Sequence, residues 1–433
     1  MNAEINLLKL PGDIVCELMT GWLDMSACGR LDSACCSTDH RGNVLDFIKR
    51  ACIFKSLKFD VDTTSFTKWV CLRSIHSSGV QIRNCKVGCD EYFEMCDQFL
   101  QTSGSVISHL EIEYCSTYIT DLTALYCNNL SCIRVLDCDL DASFWKLLAG
   151  NAITLADLHL VADDFIMISA MDNNFECSAV RKLGIEDLYG IISDEHLLRI
   201  VQVFPNVVHL ELQRDQLAEE TVTTILNYCL DVVDLTVFTS AESMPASLLL
   251  SILGNRKAGY QALSLSAFTT DEEVVEAIIN NHAHTLQHLK LYATEAIANT
   301  SYIHLLNACT NLQSLEFGCS YTTGDKVSNI LPYVKLSKLK VLKVESPDEF
   351  LMDIVAELTK YTPALEALSV TICFDRGEAD PHIPLQVQQF CFHCPQLQIV
   401  IIEGYYDDFC FVRVGQHLEV APAKIKINYH FII

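Results

Sequence analysis

The residues with the clearest potential for chemistry are the cysteines and histidines near residue 390. Cys391 and Cys394 have the C-x-x-C spacing of a zinc-ligand pair, with His393 between them and His382 upstream. A zinc site of this type needs a second matching pair at a compatible distance, and none follows in the sequence. Cys85 and Cys89 form another isolated pair with the same weakness. The sequence therefore predicts no metal site and no cofactor.

A histidine cluster at His282, His284 and His288 is the second candidate. A metal-binding helix would place two histidines four residues apart on one regular face, whereas His288 falls in a predicted strand beside Leu289. We interpret His288 as a solvated or partner-contacting residue. The nucleophile elbow, the phosphate-binding loop and the dinucleotide fingerprint are absent from the sequence. We therefore expect a protein that is not an enzyme in its own right.

The elements that must position these residues repeat along the chain. The pattern apolar-x-x-apolar-x-apolar recurs from about residue 107, at a period near 26 residues. Apolar residues alternate within each copy, as at Leu110 and Ile112, which predicts a short strand with one buried face. The middle apolar residues of the copies are Leu110, Ile133, Leu158, Leu183, Leu210, Leu235, Leu263, Leu289, Leu315, Leu342, Leu368 and Val400.

Segments of helical period lie between the strands, for example at residues 194–201, 220–226 and 271–279. A strand followed by a helix every ~26 residues is the pattern of a leucine-rich repeat. Such repeats stack and share one core. The expected fold is an α/β leucine-rich-repeat solenoid, a horseshoe with strands on its concave side, over residues 51–433. The first repeats, in residues 51–104, are degenerate, and regular repeats begin at about residue 105.

The 21 cysteines fit the repeat. Four of them stand three residues before the first apolar residue of a predicted strand: Cys127, Cys229, Cys309 and Cys394. Cys115, Cys138 and Cys373 follow predicted strands, so we expect buried, reduced thiols that act as small apolar groups. The segment from Cys115 to Cys138 resembles the cysteine-containing subtype of leucine-rich repeat, which is common in F-box proteins of the ubiquitin system.

Residues 1–50 depart from the repeat and predict a small all-α module. Their start matches the Leu-Pro, acidic and paired-aliphatic pattern of an F-box at Leu10, Pro11, Asp13, Ile14, Val15, Leu18 and Leu23, with Leu31 and Cys35 as its later residues. The tryptophan that usually follows the cysteine is missing from the stretch CCSTDHRG. The resemblance to the F-box family implies that Leu10, Pro11, Ile14, Val15, Leu18 and Leu23 bind the Skp-type adaptor of a cullin–RING ubiquitin ligase.

The same resemblance implies a substrate-recognition subunit, in which the repeats hold the protein to be ubiquitylated. An alternative stays open, because an exposed first repeat also needs a cover. The N-terminal helices would then only cap the solenoid, and the chain would be a stand-alone acidic scaffold or inhibitor of a basic protein.

The charge balance bears on the partners. Aspartate and glutamate total 55 and lysine and arginine 30, a formal net charge of −25. This charge repels nucleic acids and anionic membranes and attracts a basic partner. No apolar run approaches the ~18 residues of a membrane span, and the first residues lack the features of a signal peptide. We expect a cytoplasmic or nuclear protein without nucleic-acid or membrane partners.

Alternate strand residues should point away from the core and line the concave face. Phe238 and Tyr292 are aromatic residues of the kind that dominate interfaces. The same alternation places Ser266 on this face. The candidate partner-binding residues are His209, Glu211, Gln213, Phe238, His288, Lys290 and Tyr292. Further acid is expected there from Glu111, Glu113, Glu316, Glu345 and Glu403.

Overall fold

A computed structural model describes much of the chain from residue 76 onward and short stretches before it. The described residues are 30, 53–54, 57–59, 70–71, 76–83, 90–162, 175–239, 244–256, 258–268, 272–293, 299–319, 336–346, 355, 358–372, 392–404, 410–414 and 417–421. The chain divides into two compact units, Met1–Val207 and Val208–Ile433. The repeat pattern runs through this boundary in the sequence and does not predict it.

The first unit contains short parallel strands alternating with helices. Its strands are β1 (Ile53–Phe54), β2 (Leu57–Phe59), β3 (His76–Ser77), β4 (Gly79–Arg83), β5 (His109–Glu113), β6 (Cys132–Leu136), β7 (Asp157–Val161) and β8 (Lys182–Asp187). Its helices are α1 (Asp90–Ser103), α2 (Thr117–Tyr126), α3 (Ala142–Gly150) and α4 (Asp194–Gln202). A 3₁₀ turn, Gly104–Val106, links α1 to β5.

The second unit repeats this order. Its strands are β9 (His209–Arg214), β10 (Asp234–Phe238), β11 (Ala262–Phe268), β12 (His288–Ala293), β13 (Ser314–Cys319), β14 (Val341–Ser346), β15 (Ala367–Ile372), β16 (Ile399–Gly404), β17 (Cys410–Val414) and β18 (His417–Ala421). Its helices are α5 (Glu219–Tyr228), α6 (Ala246–Asn255), α7 (Glu272–Asn281) and α8 (Asn299–Ala308). Strands β9 to β16 are parallel, whereas β17 and β18 are added antiparallel.

The strands of each unit share one register, and it is the register that the repeat pattern predicts. In the first unit, Leu110, Ile133, Leu158 and Leu183 are successive partners across β5 to β8. In the second unit the partners from β9 to β16 are Leu210, Leu235, Leu263, Leu289, Leu315, Leu342, Leu368 and Val400. This shared register and the strand–helix order confirm the predicted α/β leucine-rich-repeat fold within each unit.

The backbone before each strand joins neighbouring repeats in a regular way. The carbonyl of Gln261 accepts the N–H groups of Gln287 and His288, and the carbonyl of Gln287 accepts those of Gln313 and Ser314. The same doubly accepted carbonyl occurs at Ser108 and Ser131 in the first unit. Because each repeat satisfies the backbone of the next, the strand spacing of ~4.8 Å is kept along the stack.

Some helices, α4 among them, combine an apolar stripe with a capping side chain. In α4, the Ser193 hydroxyl accepts the N–H of His196, and two acidic residues in the first turn favour the positive end of the helix dipole. Leu197, Ile200 and Val201 of this helix are buried. The observed bounds agree with the helix predicted at residues 194–201.

The described thiols are buried or half-buried and none forms a disulfide. The thiol of Cys394 donates to the carbonyls of Thr359 and Thr362 at 3.5 and 3.3 Å, so it is satisfied within the repeat core. Burial raises the pKa of Cys127, Cys229 and Cys309 to about 12 in each case. These cysteines pack as apolar groups, as the sequence predicts.

The predicted F-box-like module and most of the candidate zinc ligands lie outside the residues that the structure describes. The F-box-like module, including Leu10, Pro11, Ile14, Val15, Leu18 and Leu23, lies outside the described residues. Cys85, Cys89, His382 and Cys391 also lie outside them. No helix in the described parts of the chain has the length and apolar character needed to cross a membrane.

Candidate protein-binding face

The open face of a unit is the side of its parallel strands opposite the buried alternate residues. In the second unit this face consists of the outward alternate residues of β9 to β15, which are aligned in rows by the strand register. His209, Glu211, Gln213, Phe238, His288, Lys290 and Tyr292, the residues singled out from the sequence, all occupy this face. His209, His288 and Phe238 are exposed, and the other four are half-buried.

One part of this face is formed by β9 and β10. His209 Nδ1 lies 2.9 Å from Asp234 Oδ2 across the two strands. The side-chain amide of Gln213 donates to the carboxylate of Glu211 on its own strand. The ring of Phe238, which pairs with Gln213 in the register, is 39% exposed. An aromatic ring therefore stands beside polar groups that are already oriented by their neighbours.

A second part is built on β12 to β14, where Lys290, Glu316 and Lys343 are direct partners in the strand register. Glu316 Oε1 lies 2.7 Å from Lys343 Nζ and 3.4 Å from Lys290 Nζ. We call these three residues the Lys–Glu–Lys row. Lys290 and Lys343 are the only lysine or arginine residues on the open-face positions of the described strands β9 to β15. Glu316 lies between them.

Tyr292 lies beside this row and is tied to it. Its hydroxyl donates to Glu316 Oε1 at 2.6 Å, and Lys290 Nζ stands 5.2 Å from its ring centroid. Its register partner is Gly318. A Cβ at residue 318 would overlap the ring of Tyr292, so glycine is required for the ring to lie across β13. Tyr292 is therefore a half-buried, fixed residue.

The electrostatics of this cluster follow from its contacts. Burial alone would raise the pKa of Glu316, but hydrogen bonds from Lys343 and Tyr292 and the charges of both lysines hold that pKa below its usual range. Burial, reinforced by the hydrogen bond to Glu316 and its charge, raises the pKa of Tyr292 well above its usual range. At neutral pH the cluster thus holds an ionised carboxylate, two ammonium groups and a neutral phenol.

The first unit shows the same arrangement of a ring, a glycine and a glutamate. His159 on β7 pairs with Gly184 on β8, and a Cβ at residue 184 would overlap the imidazole. His159 Nε2 lies 3.7 Å from Glu186 Oε2. A glycine opposite a ring therefore lets that ring lie over the next strand in both units.

Three of the glutamates expected on the open strand faces are paired with basic side chains. Glu111 and Glu113 both pair with Arg83, which neutralises part of their charge. Glu316 is held by two lysines, as described above. Acid also occurs on the helices of the second unit. Exposed glutamates occur there without any lysine or arginine on α5, α6 or α7: Glu219, Glu220, Glu272, Glu273 and Glu276.

Ser266 also departs from its expected place. It is buried, and its hydroxyl oxygen accepts the N–H of Thr239 at 2.8 Å. The register between β11 and β12 shifts between Leu265 and Phe268. Strict alternation fails at this point of β11, which is why the sequence pattern placed Ser266 outward.

His282, considered from the sequence only as part of a possible metal-binding cluster, is a structural residue. It is fully buried, its Nδ1 accepts the N–H of Tyr260 at 3.2 Å, and its Nε2 stands 2.9 Å from the carbonyl of Leu253. His284 and His288 are exposed. The sequence offered one signal for this role. His282 stands four residues before Leu286, whereas the cysteines of other repeats stand three residues before the equivalent apolar residue.

A groove of about 250 Å³, lined by polar residues, lies at the start of β11 to β13. Gln261, Gln287 and Gln313, which immediately precede these strands, line it together with His284, Asn311 and Lys338. Nζ of Lys338 donates to Oδ1 of Asn311 at 2.6 Å. The three glutamine side chains make no hydrogen bond within the described part of the chain. None of the described residues that line the groove carries a carboxylate.

The described residues offer no support for the zinc alternative. Among them, no three His, Cys, Asp or Glu side chains are grouped so that they could hold a metal ion. Cys394 faces Thr359 and Thr362, and His393 Nδ1 lies 3.5 Å from the Thr359 hydroxyl.

Comparisons with known proteins place the chain among distant structural neighbours. No protein-family model matches it, and no curated protein matches it in sequence. The yeast Rad7–Elc1 complex is similar with a TM-score of 0.37 and 12% identity, over 90% of this chain and 86% of that one. The leucine-rich-repeat protein LegL7 of Legionella pneumophila gives 0.33 and 10%, over 83% and 87%. TLR13 in complex with a single-stranded RNA gives 0.34 and 11%, over 83% of this chain and 52% of that one. The chain is thus a leucine-rich-repeat protein by its own strand register, with neighbours too distant to indicate a partner.

Proposed function

We propose that this chain is the non-catalytic substrate-recognition subunit of a cullin–RING ubiquitin ligase. In this proposal the N-terminal segment binds a Skp-type adaptor, and the open face of the second unit holds the protein to be ubiquitylated. The adaptor contacts are those that the F-box resemblance assigns: Leu10, Pro11, Ile14, Val15, Leu18 and Leu23.

The observation that carries the recognition role is the cluster of Tyr292, Glu316 and the two lysines. Lysine and tyrosine side chains ordinarily lose rotamer freedom when they bind a partner, at ~0.5–1.5 kcal/mol for each immobilised side chain. Here the shared carboxylate and Gly318 have already fixed them. A preorganised polar and aromatic surface supports specific protein binding.

The adaptor half of the proposal is tested by a pull-down of the purified full chain with a Skp-type adaptor. We expect capture of the wild type and loss of capture in Ile14→Asp and in Leu18→Asp, because a buried carboxylate disrupts an apolar contact. Leu125→Asp is the matched control, since Leu125 is 69% exposed on α2 and the same change there should leave capture intact.

Circular dichroism of each variant separates lost binding from lost folding. Capture that survives in both N-terminal variants, or no capture by folded wild type, would contradict the adaptor role. The N-terminal residues would then serve as a cap for the repeats.

A second candidate function is favoured by the acidic helices of the second unit. A scaffold that binds a basic protein through Glu272, Glu273 and Glu276 would lose affinity steeply with salt. Polylysine is a suitable probe, with polyglutamate as the negative control. Binding that weakens in the Glu272→Gln/Glu273→Gln/Glu276→Gln variant and is indifferent to Leu18→Asp would favour this function.

A further inference from the structure

The Lys–Glu–Lys row leaves cationic capacity unused. Glu316 carries one negative charge and holds both Lys290 and Lys343 through a single oxygen, Oε1. Each ammonium group has three donors, and the two lysine side chains remain 43% and 42% exposed. Each lysine therefore keeps N–H groups that face solvent while its position is fixed by the carboxylate beneath.

We propose that the open face of the second unit binds a peptide carboxylate between Lys290 and Lys343. This inference rests on the proposed recognition function and names the chemical group that the substrate presents. Two ammonium groups that both contact one oxygen are close enough for a second carboxylate to bridge them from the solvent side. Charge-assisted hydrogen bonds of this kind are about twice as strong as neutral ones.

The direction of approach is set by the neighbouring row of the sheet. On one side of the Lys–Glu–Lys row lie Tyr292, Gly318 and Glu345, and the charge of Glu345 repels an incoming carboxylate. On the other side lie His288, Ser314 and Val341, which carry no acid. The bound carboxylate therefore lies on the His288 side of the row.

Two groove-lining glutamines adjoin that side in the sequence. Gln287 directly precedes His288, and Gln313 directly precedes Ser314. A primary amide offers both a donor and an acceptor, which are the groups needed to pair with a peptide main chain. The described residues that line the groove include Lys338 and no carboxylate. The groove is suited to the peptide segment that is attached to the bound carboxylate.

The net charge of the protein does not exclude this ligand. The exposed glutamates of α5 and α7 described above lie on helices, and exposed charges are screened beyond about 8 Å at physiological ionic strength. A partner can be basic overall and still present one carboxylate to the open face.

The test is a fluorescence-anisotropy measurement on the full chain with short, labelled peptide libraries at physiological ionic strength. One pair of libraries has Glu or Gln fixed at a central position, and a second pair has a free or an amidated C-terminus. We expect the acid member of one pair to bind about tenfold more tightly than its neutral counterpart. The pair that shows the preference identifies the source of the carboxylate.

Variants locate the preference. Lys290→Gln/Lys343→Gln should abolish it, and Glu345→Gln should increase it, because a like charge is removed. Lys182→Gln is the matched control, since Lys182 is an exposed lysine on β8, paired with Asp157 at 3.4 Å, and should leave the preference unchanged. Equal binding of acid and neutral libraries by the wild type, or a preference that persists in the double variant, overturns the proposal.

Adaptor capture is measured on the same preparations. Loss of the peptide preference with capture retained overturns the carboxylate site alone, whereas loss of capture with the preference retained overturns the ligase role alone.

Discussion

His282 and Asn151 occupy equivalent positions in their repeats and make the same contacts with different side chains. Each stands four residues before the first apolar residue of the next copy of the repeat pattern, Leu286 or Leu155. Asn151 Oδ1 accepts the N–H of Leu130 at 2.8 Å, as His282 Nδ1 accepts that of Tyr260. Each residue also donates to a carbonyl at or near the end of the preceding helix. These side chains satisfy backbone groups that the extra residue would otherwise leave unpaired.

The buried position of His282 predicts a pH-dependent stability. Burial lowers the pKa of this imidazole from 6.5 to about 4. The unfolded chain therefore binds a proton as the pH falls below about 6.5, while the folded chain stays neutral until about 4. The contribution of His282 is fully present above pH 6.5 and is lost as the pH falls towards 4, with a size of ~3 kcal/mol.

Urea denaturation at a series of pH values measures this effect. In His282→Gln the decline in unfolding free energy between neutral and mildly acidic pH should shrink, because an amide does not titrate there. His284→Gln, a change at an exposed neighbour, should keep the wild-type decline. An unchanged decline in the His282 variant would show that other groups dominate.

Removing the Asn151 side chain should cost more than removing a similar surface asparagine. Its amide makes three hydrogen bonds, to Leu130, Cys127 and Leu147, and the residue is 1% exposed. Asn151→Ala should lower the unfolding free energy by ~2–3 kcal/mol, because buried backbone groups lose their partners. Asn129→Ala is the control, since Asn129 makes a single exposed bond to Ser105 and should cost less than ~1 kcal/mol. Equal losses measured by denaturation would contradict the role given to Asn151.

Much of this fold could be predicted from the sequence, because stacked repeats bury their strands only if the apolar strand residues recur at a regular spacing. Leu289 and Leu315 must be core partners if each repeat is to bury its strand, and they are. The pattern could not reveal that Ser266 turns inward, since that depends on a register shift, nor that His282 is buried. The ring of Tyr292 lies over Gly318 only because the two are adjacent in the sheet while 26 residues apart in sequence. Contacts across strands decide the site, whereas alternation along strands decides the fold.

The thiols should react with iodoacetamide in an order set by burial. Cys132 on the open face of the first unit is half-buried, with its pKa raised to about 11 by burial and by the charge of Asp157. Cys127, Cys229 and Cys309 are buried, with the pKa of each raised to about 12. Because the thiolate is the reactive form, Cys132 should be modified before these three in the folded protein.

Peptide mass spectrometry after timed alkylation resolves each cysteine. All four should react at similar rates in urea, which serves as the control for intrinsic reactivity. Modification of Cys127, Cys229 or Cys309 ahead of Cys132 under native conditions would contradict the packing described for the repeat core.

The contact between Tyr292 and Gly318 makes a prediction that a double-mutant cycle can test. Gly318→Ala should displace the ring, break its hydrogen bond to Glu316 and lower the unfolding free energy by ~1–3 kcal/mol, the usual cost of overpacking. With the ring removed in Tyr292→Ala, the methyl group meets no obstacle, so adding Gly318→Ala should then cost little or nothing. The two changes should therefore be non-additive by most of that amount. Ultraviolet titration gives a second measurement, because a displaced Tyr292 loses the burial and the carboxylate contact that raise its pKa. Additive losses in denaturation, or an unchanged phenol titration in Gly318→Ala, would mean that the glycine does not position the tyrosine.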